Sequence, residues 1–150
     1  MADTFNKAKR SQIMAAVRST GNKATEIKLV RIFRDHRISG WRRNQRLPGK
    51  PDFVFPGSRL AVFVDGCFWH GCRIHLRMPA NNRAYWLRKI TRNQTRDRTT
   101  VRALRDSGWR VLRIWEHDLK FAKRVVRRLT KALSAAPARV KMPCSLRRTS

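Results

Sequence analysis

Groups that can bind a metal or carry a proton are concentrated in one stretch, VFVDGCFWHGCRIH, at residues 62–75. Cys67 and Cys72 are separated by four residues, and His75 follows after two more. Zn²⁺ prefers four thiolate or imidazole ligands in a tetrahedron, and His117, in WEHDL, is the candidate for the fourth. The alternative is that Cys67 is a small buried apolar residue and His117 is solvated. The spacing favours a structural zinc site, because four protein ligands leave no open position.

One histidine of this stretch, His70, is left over once the zinc ligands are assigned. It follows Asp65, the acid that ends the apolar run VFVD. A histidine is the side chain most often used to transfer a proton in catalysis. We therefore interpret His70 as the proton-transfer group.

Acidic residues are scarce, with nine Asp and Glu against 36 Lys and Arg. Asp52 begins the apolar run PDFVF, where an unpaired carboxylate would be costly to bury, and Asp65 ends the next run. Asp97 shares a helical stripe with apolar residues, and Glu26 lies near the start of another helical segment. Each acid alone is explained by pairing with an abundant Arg. Two or three together would form an oxygen-rich site suited to Mg²⁺.

In a strongly basic protein, such a site suggests hydrolysis of a phosphodiester. A carboxylate-bound Mg²⁺ polarises the scissile phosphate and helps to generate hydroxide, and a nearby His moves the proton. The PD dipeptide at the start of a strand, followed by a second strand that carries an acid, is typical of restriction-type nucleases. Their usual Asp/Glu-x-Lys motif is absent from FVD at residues 63–65.

The net charge of +27 predicts a polyanionic partner, because counterion release on binding would supply much of the affinity. The alternatives are a membrane surface or an RNA protein of the ribosomal type. No run approaches the ~18 apolar residues of a membrane span, and residues 1–12 lack the apolar block of a signal peptide. The chain has only three Cys, and a small, odd number of cysteines argues against a disulfide scaffold. We expect a soluble, cytoplasmic protein that does not bind membranes.

Large aromatic residues accompany the candidate ligands. Phe68 and Trp69 lie between them, and Trp86 begins a later helical segment. In a basic protein, aromatic side chains on a rigid loop can wedge between stacked bases, as in several proteins that distort DNA. The alternative is that these rings pack inside the protein. For Trp86 the sequence favours neither interpretation over the other.

The local pattern predicts one domain at residues 11–133, between a flexible segment at 1–10 and a basic, disordered tail at 134–150. Helices are predicted at 12–19, 24–37, 82–106 and 118–133, the last with Asp118 as its N-cap. In the second and third of these helices, the inward residues are predicted to be Ile27, Val30, Phe33, Leu87, Ile90, Val101 and Leu104.

Three strands are predicted, at residues 51–55, 59–66 and 109–116. The third, WRVLRIWE, is apolar on both faces and is therefore expected to be central. Helix, two strands, helix, strand and helix together predict an α/β fold with three layers and a small mixed central sheet.

Five segments, in order and at matching spacings, resemble the very short patch repair (Vsr-type) DNA mismatch endonucleases. They are RSQIMAAVRSTGNKATE, LPGKPDFVFP, VFVDGCFWHGC, YWLRKITRNQTRDR and GWRVLRIWE, within residues 9–120, and GCFWHGC is the most specific. The resemblance implies a restriction-endonuclease-like fold, a structural Zn²⁺ and a Mg²⁺-dependent cut. The implied substrate is duplex DNA with the T:G mismatch left by deamination of 5-methylcytosine, nicked 5′ to the T. A monomeric, nucleoid-associated bacterial enzyme is implied, with downstream repair proteins as further partners.

The resemblance also implies roles for individual residues. Asp52 matches the Asp that binds Mg²⁺, and Val64 matches the residue whose main-chain carbonyl also contacts that metal. The catalytic His and two further acids are matched by His70, Glu26 and Asp97. The residues that enter the DNA beside the mismatch are matched by Phe68, Trp69, Trp86 and, from the other groove, Met14.

The chain departs from the family pattern at two positions. Some members carry His where this chain has Asp65, so the role of Asp65 as a base, a ligand or neither stays open. The usual Cys of the last motif is His117, which keeps a ligand but alters the zinc chemistry. The alternative functions are a restriction-like nuclease of the same fold with another target and an inactive, zinc-stabilised DNA-binding module.

Overall fold

The computed structural model describes residues 23–135. The predicted helix at 12–19 with Met14, the segment 1–10 and all but the start of the predicted tail lie outside the described residues. The described helices are α1 (Lys23–Asp35), α2 (Arg83–Asp106) and α3 (Ala122–Ser134), and the strands are β1 (Phe53–Phe55), β2 (Leu60–Asp65) and β3 (Arg110–Trp115). Short 3-10 turns at Pro56–Ser58 and Glu116–Lys120 follow β1 and β3. None of the described helices is long and apolar enough to cross a membrane.

The three strands form one mixed sheet in the order β1-β2-β3. β1 is antiparallel to β2, and β2 is parallel to β3, which confirms the predicted small mixed sheet. The prediction that β3 is central was wrong, because β2 lies between the other two strands. β2 is almost wholly apolar and buried. β3 carries two arginines, Arg110 and Arg113, and Arg110 donates to main-chain carbonyls of Ser58 and Ala132 at the sheet edge.

Strand alternation gives the sheet two apolar faces, each covered by helices. On one face a core joins the sheet to α1 and α3; its buried residues include Phe33, Phe53, Val62, Ile114 and Leu129. On the other face a smaller core of Val54, Ala61 and Phe63 packs against Leu104 of α2. Helices on both faces of the sheet make the three layers that the sequence predicts.

Two helical faces differ from the prediction. Ile27 is 51% exposed, because the buried stripe of α1 runs through Leu29, Ile32 and Phe33 instead. Leu87 is 57% exposed, because it belongs to an outward stripe of α2 that continues through Thr91. In α1 the buried stripe begins on the polar residues Thr25 and Glu26, and in α2 it includes Asn93, so apolarity alone misplaced both stripes.

The N-cap prediction for Asp118 was also wrong. α3 begins at Ala122 with no side-chain cap, and Asp118 is buried in the preceding 3-10 turn. Its carboxylate lies 3.4 Å from Arg124 Nη1 and 3.1 Å from Arg128 Nη1. Two guanidinium groups of α3, rather than main-chain N–H groups, therefore satisfy this acid.

Candidate active site and metal centre

A group of charged side chains lies on the face of the sheet that α2 covers. The register pairs Phe63 of β2 with Arg113 of β3, and alternation places Asp65 on the same face. Asp52, just before β1, and Asp97, on α2, approach the same place. Together with His70 these charged groups line a cavity of about 360 Å³. Three of the four predicted acids therefore converge.

Asp52 is a carboxylate that the protein alone leaves poorly compensated. The Val64 main-chain N–H donates to Asp52 Oδ2 at 2.8 Å. Burial raises the pKa of Asp52; the Val64 hydrogen bond opposes this effect, and the charge of Asp65 adds to it. A bound cation would favour the ionised form and lower that pKa. Asp52 and Val64 both line the cavity, so they fit the predicted Mg²⁺ ligands.

Asp65 is engaged by an arginine that the sequence analysis did not single out. Arg113 Nε and Nη2 donate to Asp65 Oδ2 and Oδ1 at 2.5 and 2.6 Å. Burial alone would lower the pKa of Arg113, but the hydrogen bonds and charge of Asp65, and then of Asp97, raise it. Both oxygens of Asp65 are thus occupied, and Arg113 stays charged.

His70 is held by the acid of α2. Its Nδ1 lies 2.6 Å from Asp97 Oδ2 and 3.9 Å from Asp65 Oδ1, so Asp97 is the main partner. Burial alone would raise the pKa of Asp97, yet the hydrogen bond and charge of His70, and then Arg113, lower it. Since a carboxylate only accepts, we assign the Nδ1 proton to this bond. His70 Nε2 is then the ring nitrogen left for proton transfer.

The loop that carries His70 is fixed to α2 through its main chain. Asn93 Nδ2 donates to the Trp69 carbonyl at 3.1 Å, and Gln94 Nε2 donates to the His70 carbonyl at 3.3 Å. Gly71 has φ +65°, and a Cβ there would lie 2.5 Å from Gln94 Nε2. Glycine thus permits both the left-handed turn and the close approach to the helix.

Glu26 does not line this cavity. It is buried in the first turn of α1 and forms an ion pair with Arg43. The Arg43 guanidinium in turn lies 5.6 Å from the centre of the Phe53 ring. In this structure Glu26 therefore holds the segment between α1 and β1, instead of joining the other acids.

The predicted zinc ligands come together at the end of β2 and β3. The parallel register pairs Asp65 with Trp115, so the chain places Cys67 beside His117 two residues further on. Cys67 Sγ lies 3.2 Å from His117 Nδ1, and Cys72 Sγ lies 3.7 Å from the same atom. His75 completes a group whose ligand atoms are all within 4.8 Å of one another.

This donor set fits Zn²⁺. Burial raises the pKa of the Cys67 thiol, and the neighbouring Cys72 raises it further, so without a cation the Cys67 thiolate is disfavoured. A metal among the four groups would favour thiolates, as zinc sites require. His117 Nε2 lies 3.7 Å from Asp118 Oδ1, so a carboxylate stands behind this imidazole.

The predicted aromatic wedge forms a single cluster. Phe68 packs edge to face against Trp69 and Trp86, with ring centres 5.2 and 5.5 Å apart. Lys89 Nζ lies 4.9 Å from the centre of the Trp69 ring. Trp69 is only 7% exposed, so in the free protein it is packed, and not presented as the sequence analysis expected. Phe68 and Trp86 are half-buried and closer to solvent.

The surface of α2 is strongly basic. Its exposed arginines are Arg83, Arg88, Arg92, Arg96, Arg98, Arg102 and Arg105. This helix also supplies Asp97 to the cavity and begins beside the aromatic cluster. A nucleic-acid backbone bound along it would therefore meet the acids, His70 and the aromatic rings.

Comparison with known proteins identifies one family and several relatives that match this chain. The family described as DNA mismatch endonuclease Vsr matches residues 2–76. The chain is 39% identical over 121 residues to DNA mismatch endonuclease Vsr of Escherichia coli (strain K12), which covers 80% of this chain and 77% of that protein. It is 41% identical over 127 residues to type II nicking enzyme V.XorIIP of Xanthomonas oryzae pv. oryzae, covering 79% and 88%. Type II nicking enzyme V.NaeI of Lentzea aerocolonigenes is 55% identical over 69 residues; this match spans 46% of the chain and less than half, 42%, of the relative.

Proposed function

The chain belongs to the Vsr family of DNA mismatch endonucleases, and from this premise we propose that it nicks duplex DNA 5′ to the T of a T:G mismatch. The observation that carries the proposal is the cavity in which Asp52, His70 and Asp97 meet beside a basic helix. The names of two relatives, type II nicking enzymes, support cleavage of a single strand. We take the lesion to be the product of 5-methylcytosine deamination, as the sequence resemblance implies.

We assign Mg²⁺ to Asp52 and to the main-chain carbonyl of Val64. When bound there, Mg²⁺ would polarise the scissile phosphate and lower the pKa of a water molecule. His70 moves the proton at Nε2, because its Nδ1 is held by Asp97 at 2.6 Å. Asp97 keeps the ring in one orientation and stabilises it when protonated, as the acid of a catalytic triad does.

We assign Zn²⁺ to Cys67, Cys72, His75 and His117, as a structural metal. The ion would tie the loop after β2 to the turn after β3, and His70 lies inside that loop between two of the ligands. We further propose that the mixed sheet with Asp52 before β1 belongs to the restriction-endonuclease-like folds. The enzyme would act as a monomer, in the cytoplasm and on the nucleoid.

The T:G target is best tested with four duplexes that differ at one base pair, T:G, C:G, T:A and A:G, each labelled on both strands. We expect Mg²⁺-dependent cutting 5′ to the mismatched T, an intact opposite strand, and at most weak cutting of matched duplexes. A wobble pair makes the adjoining step easier to unstack, so the deformation cost of a few kcal/mol is smallest there. Equal cutting of C:G and T:G would favour the restriction-like alternative, and no cutting would favour the DNA-binding module.

Discrimination should depend on the two accessible rings of the aromatic cluster. Because Phe68 and Trp86 are half-buried, Phe68→Ala and Trp86→Ala should fold, whereas truncation of buried Trp69 would leave a cavity. Each of the two variants should narrow the T:G to C:G rate ratio about tenfold, which corresponds to 1–2 kcal/mol of lost stacking. Tyr85→Ala, at an exposed ring beside Trp86, is the matched control and should keep the ratio. Unchanged ratios in both Phe68 and Trp86 variants would remove the wedge from the mechanism.

A further inference from the structure

We propose that Arg113 is a further catalytic residue that binds the scissile phosphate, and that Asp65 is the residue that positions it. The inference rests on the proposed nuclease function of the same site. It assigns a role to a side chain that no sequence motif singled out. It also gives Asp65 a definite role, which the sequence left open. Asp65 would act through Arg113, and neither as a base nor as a metal ligand.

The orientation of Arg113 is fixed from one edge of its guanidinium. Nε and Nη2 bind both oxygens of Asp65 at 2.5 and 2.6 Å, and the guanidinium carbon lies 5.4 Å from the centre of the Phe63 ring. A guanidinium is a planar fork with five N–H donors; the two bonds to Asp65 use two of them, and Nη2 also lies 3.2 Å from Asp97 Oδ2, which leaves the donors of Nη1. Within the described chain, Nη1 has no hydrogen-bond partner. The fork is thus held rigidly with donors to spare.

The location of Arg113 is suited to a phosphate. The group lines the cavity together with Asp52 and His70, and its Nη2 lies 3.4 Å from His70 Nδ1. It also lines a second cavity, which is rich in arginines and shares His70 and Asp97 with the first. A DNA strand that passes from one cavity to the other would cross the Arg113 guanidinium beside the proton-transfer group.

The charge of the cavity calls for a cation at this position. Three carboxylates line it, Asp52, Asp65 and Asp97, and each would repel a phosphodiester. Two other cationic residues line the cavity, Lys50 and Arg96, but both are exposed, and Arg96 Nη2 is bound to Asn93 Oδ1 at 2.6 Å. Arg113 is the cation that stands among the acids, where water screens it least.

Two kinds of role can be separated by chemistry. A phosphate-binding Arg stabilises the charge that develops on the phosphate oxygens in the transition state, so its loss lowers the cleavage rate more than the affinity. A purely structural Arg neutralises the charges of Asp65 and Asp97. Its loss leaves two neighbouring carboxylates uncompensated and lowers the melting temperature. In the second case, restoring the cation from solution would not restore cutting.

The experiment measures single-turnover cutting with enzyme in excess, duplex affinity in EDTA, and melting temperature. Arg113→Ala should cut about 10²–10³-fold more slowly while its affinity changes less than about threefold. Arg113→Lys should recover part of the rate through its charge, and guanidinium ion added to Arg113→Ala should recover part of it through its donors. Arg127→Ala removes an exposed arginine of α3, on the other face of the sheet, and is the matched control.

Asp65→Asn tests the positioning role. Alone it should slow cutting by about tenfold, because an amide holds the guanidinium less firmly. Combined with Arg113→Ala it should cause no further loss, since it acts through the same group. Fully additive losses would overturn the positioning role of Asp65.

The outcomes separate this inference from the proposed function. Arg113→Ala that cuts at the wild-type rate, or that melts early and responds neither to Lys nor to guanidinium, overturns the inference. Rates are compared with wild type on whichever duplex it cuts best. If the wild-type enzyme shows no preference for mismatches, the proposed target is refuted, but the role of Arg113 can still be tested on the duplex that is cut. A wild-type protein that cuts no duplex overturns both.

Discussion

Asp52→Asn is expected to slow Mg²⁺-dependent cutting by at least about 10³-fold while leaving DNA binding intact. The amide keeps an oxygen that can accept the Val64 N–H bond, but it lacks the charge that holds the metal. Loss of about 4 kcal/mol of transition-state stabilisation corresponds to roughly this factor. The substitution removes one negative charge, which makes the net charge more positive, so affinity for the duplex should hold or improve. Single-turnover cutting and duplex titration on the same preparation measure the two effects.

The same substitution should stabilise the metal-free protein. The pKa of Asp52 is raised in the folded state, chiefly by burial, so folding favours the protonated acid. That contribution is fully present below the unfolded pKa and is lost as the pH rises through the folded pKa. At pH 8 in EDTA, Asp52→Asn should therefore melt above wild type, and the difference should shrink as the pH falls. An active site that strains the fold without its metal gives this pattern.

Asp35→Asn is the control for Asp52→Asn, because it removes an identical charge from the exposed end of α1. It should change neither the cutting rate nor the melting temperature at pH 8 in EDTA. Near-normal cutting by Asp52→Asn would mean that another acid carries the metal. Asp97 would be the next candidate, since both oxygens of Asp65 are bound by Arg113.

The residues that sequence alone could place are those whose chemistry is unusual for their surroundings. Cys67, Cys72 and His75 stand close together in the chain, and His117 follows a strand, so the metal group could be predicted without knowing the sheet order. Asp52 and Asp65 were identified because acids at the ends of apolar strands are costly. Asp97 was identified because it interrupts an apolar helical stripe.

The residues that sequence could not place depend on the register of strands far apart in the chain. Arg113 pairs with Phe63 and lies beside Asp65, 48 residues away, only because β2 and β3 are parallel in that register. A signal was present, since an arginine in the middle of the strand VLRIW contradicts a strand that is apolar on both faces. The same oversight made β3 central in the prediction. Counting the strand as apolar concealed both its edge position and the arginine that it contributes to the cavity.

Glu26 and Trp69 show a different limit. Their residue types predicted a role at the site, but packing decided where each side chain went. Glu26 forms an ion pair with Arg43. Trp69 packs against the rings of Phe68 and Trp86 and lies under the ammonium group of Lys89. Arginines are abundant in this chain, so the sequence does not indicate which of them pairs with a given acid.

Removing the Cys67–Cys72–His75–His117 metal should have the second large effect, a loss of fold stability. Purified protein is expected to contain about one Zn²⁺ per chain, and Cys72→Ala should lose it, because that thiol is buried within the group. Structural zinc contributes directly to folding free energy. A loss of about 4 kcal/mol would lower the melting temperature by roughly 10 °C in a chain of this size. Metal content by mass spectrometry and melting by circular dichroism provide the measurement.

Cys144→Ala, at a cysteine outside the described residues, is the control and should keep both metal and stability. Zinc at full stoichiometry in Cys72→Ala would exclude Cys72 as a ligand. Because Cys72→Ala could fail to fold, substitution at His117 gives a second route to the same answer. His117→Cys should keep one metal per chain, whereas His117→Ala should lose it.

The His117 variants also connect the metal to catalysis. His70 lies in the loop between Cys67 and Cys72, and Asn93 and Gln94 hold that loop only through two main-chain carbonyls. Without the metal, the His70 ring should lose its fixed approach to Asp97, so His117→Ala should cut at least about tenfold more slowly even at temperatures where it stays folded. His117→Cys, which retains a ligand, should cut near the wild-type rate. Normal cutting by a folded, zinc-free His117→Ala would show that α2 alone positions His70 and that the metal serves stability only.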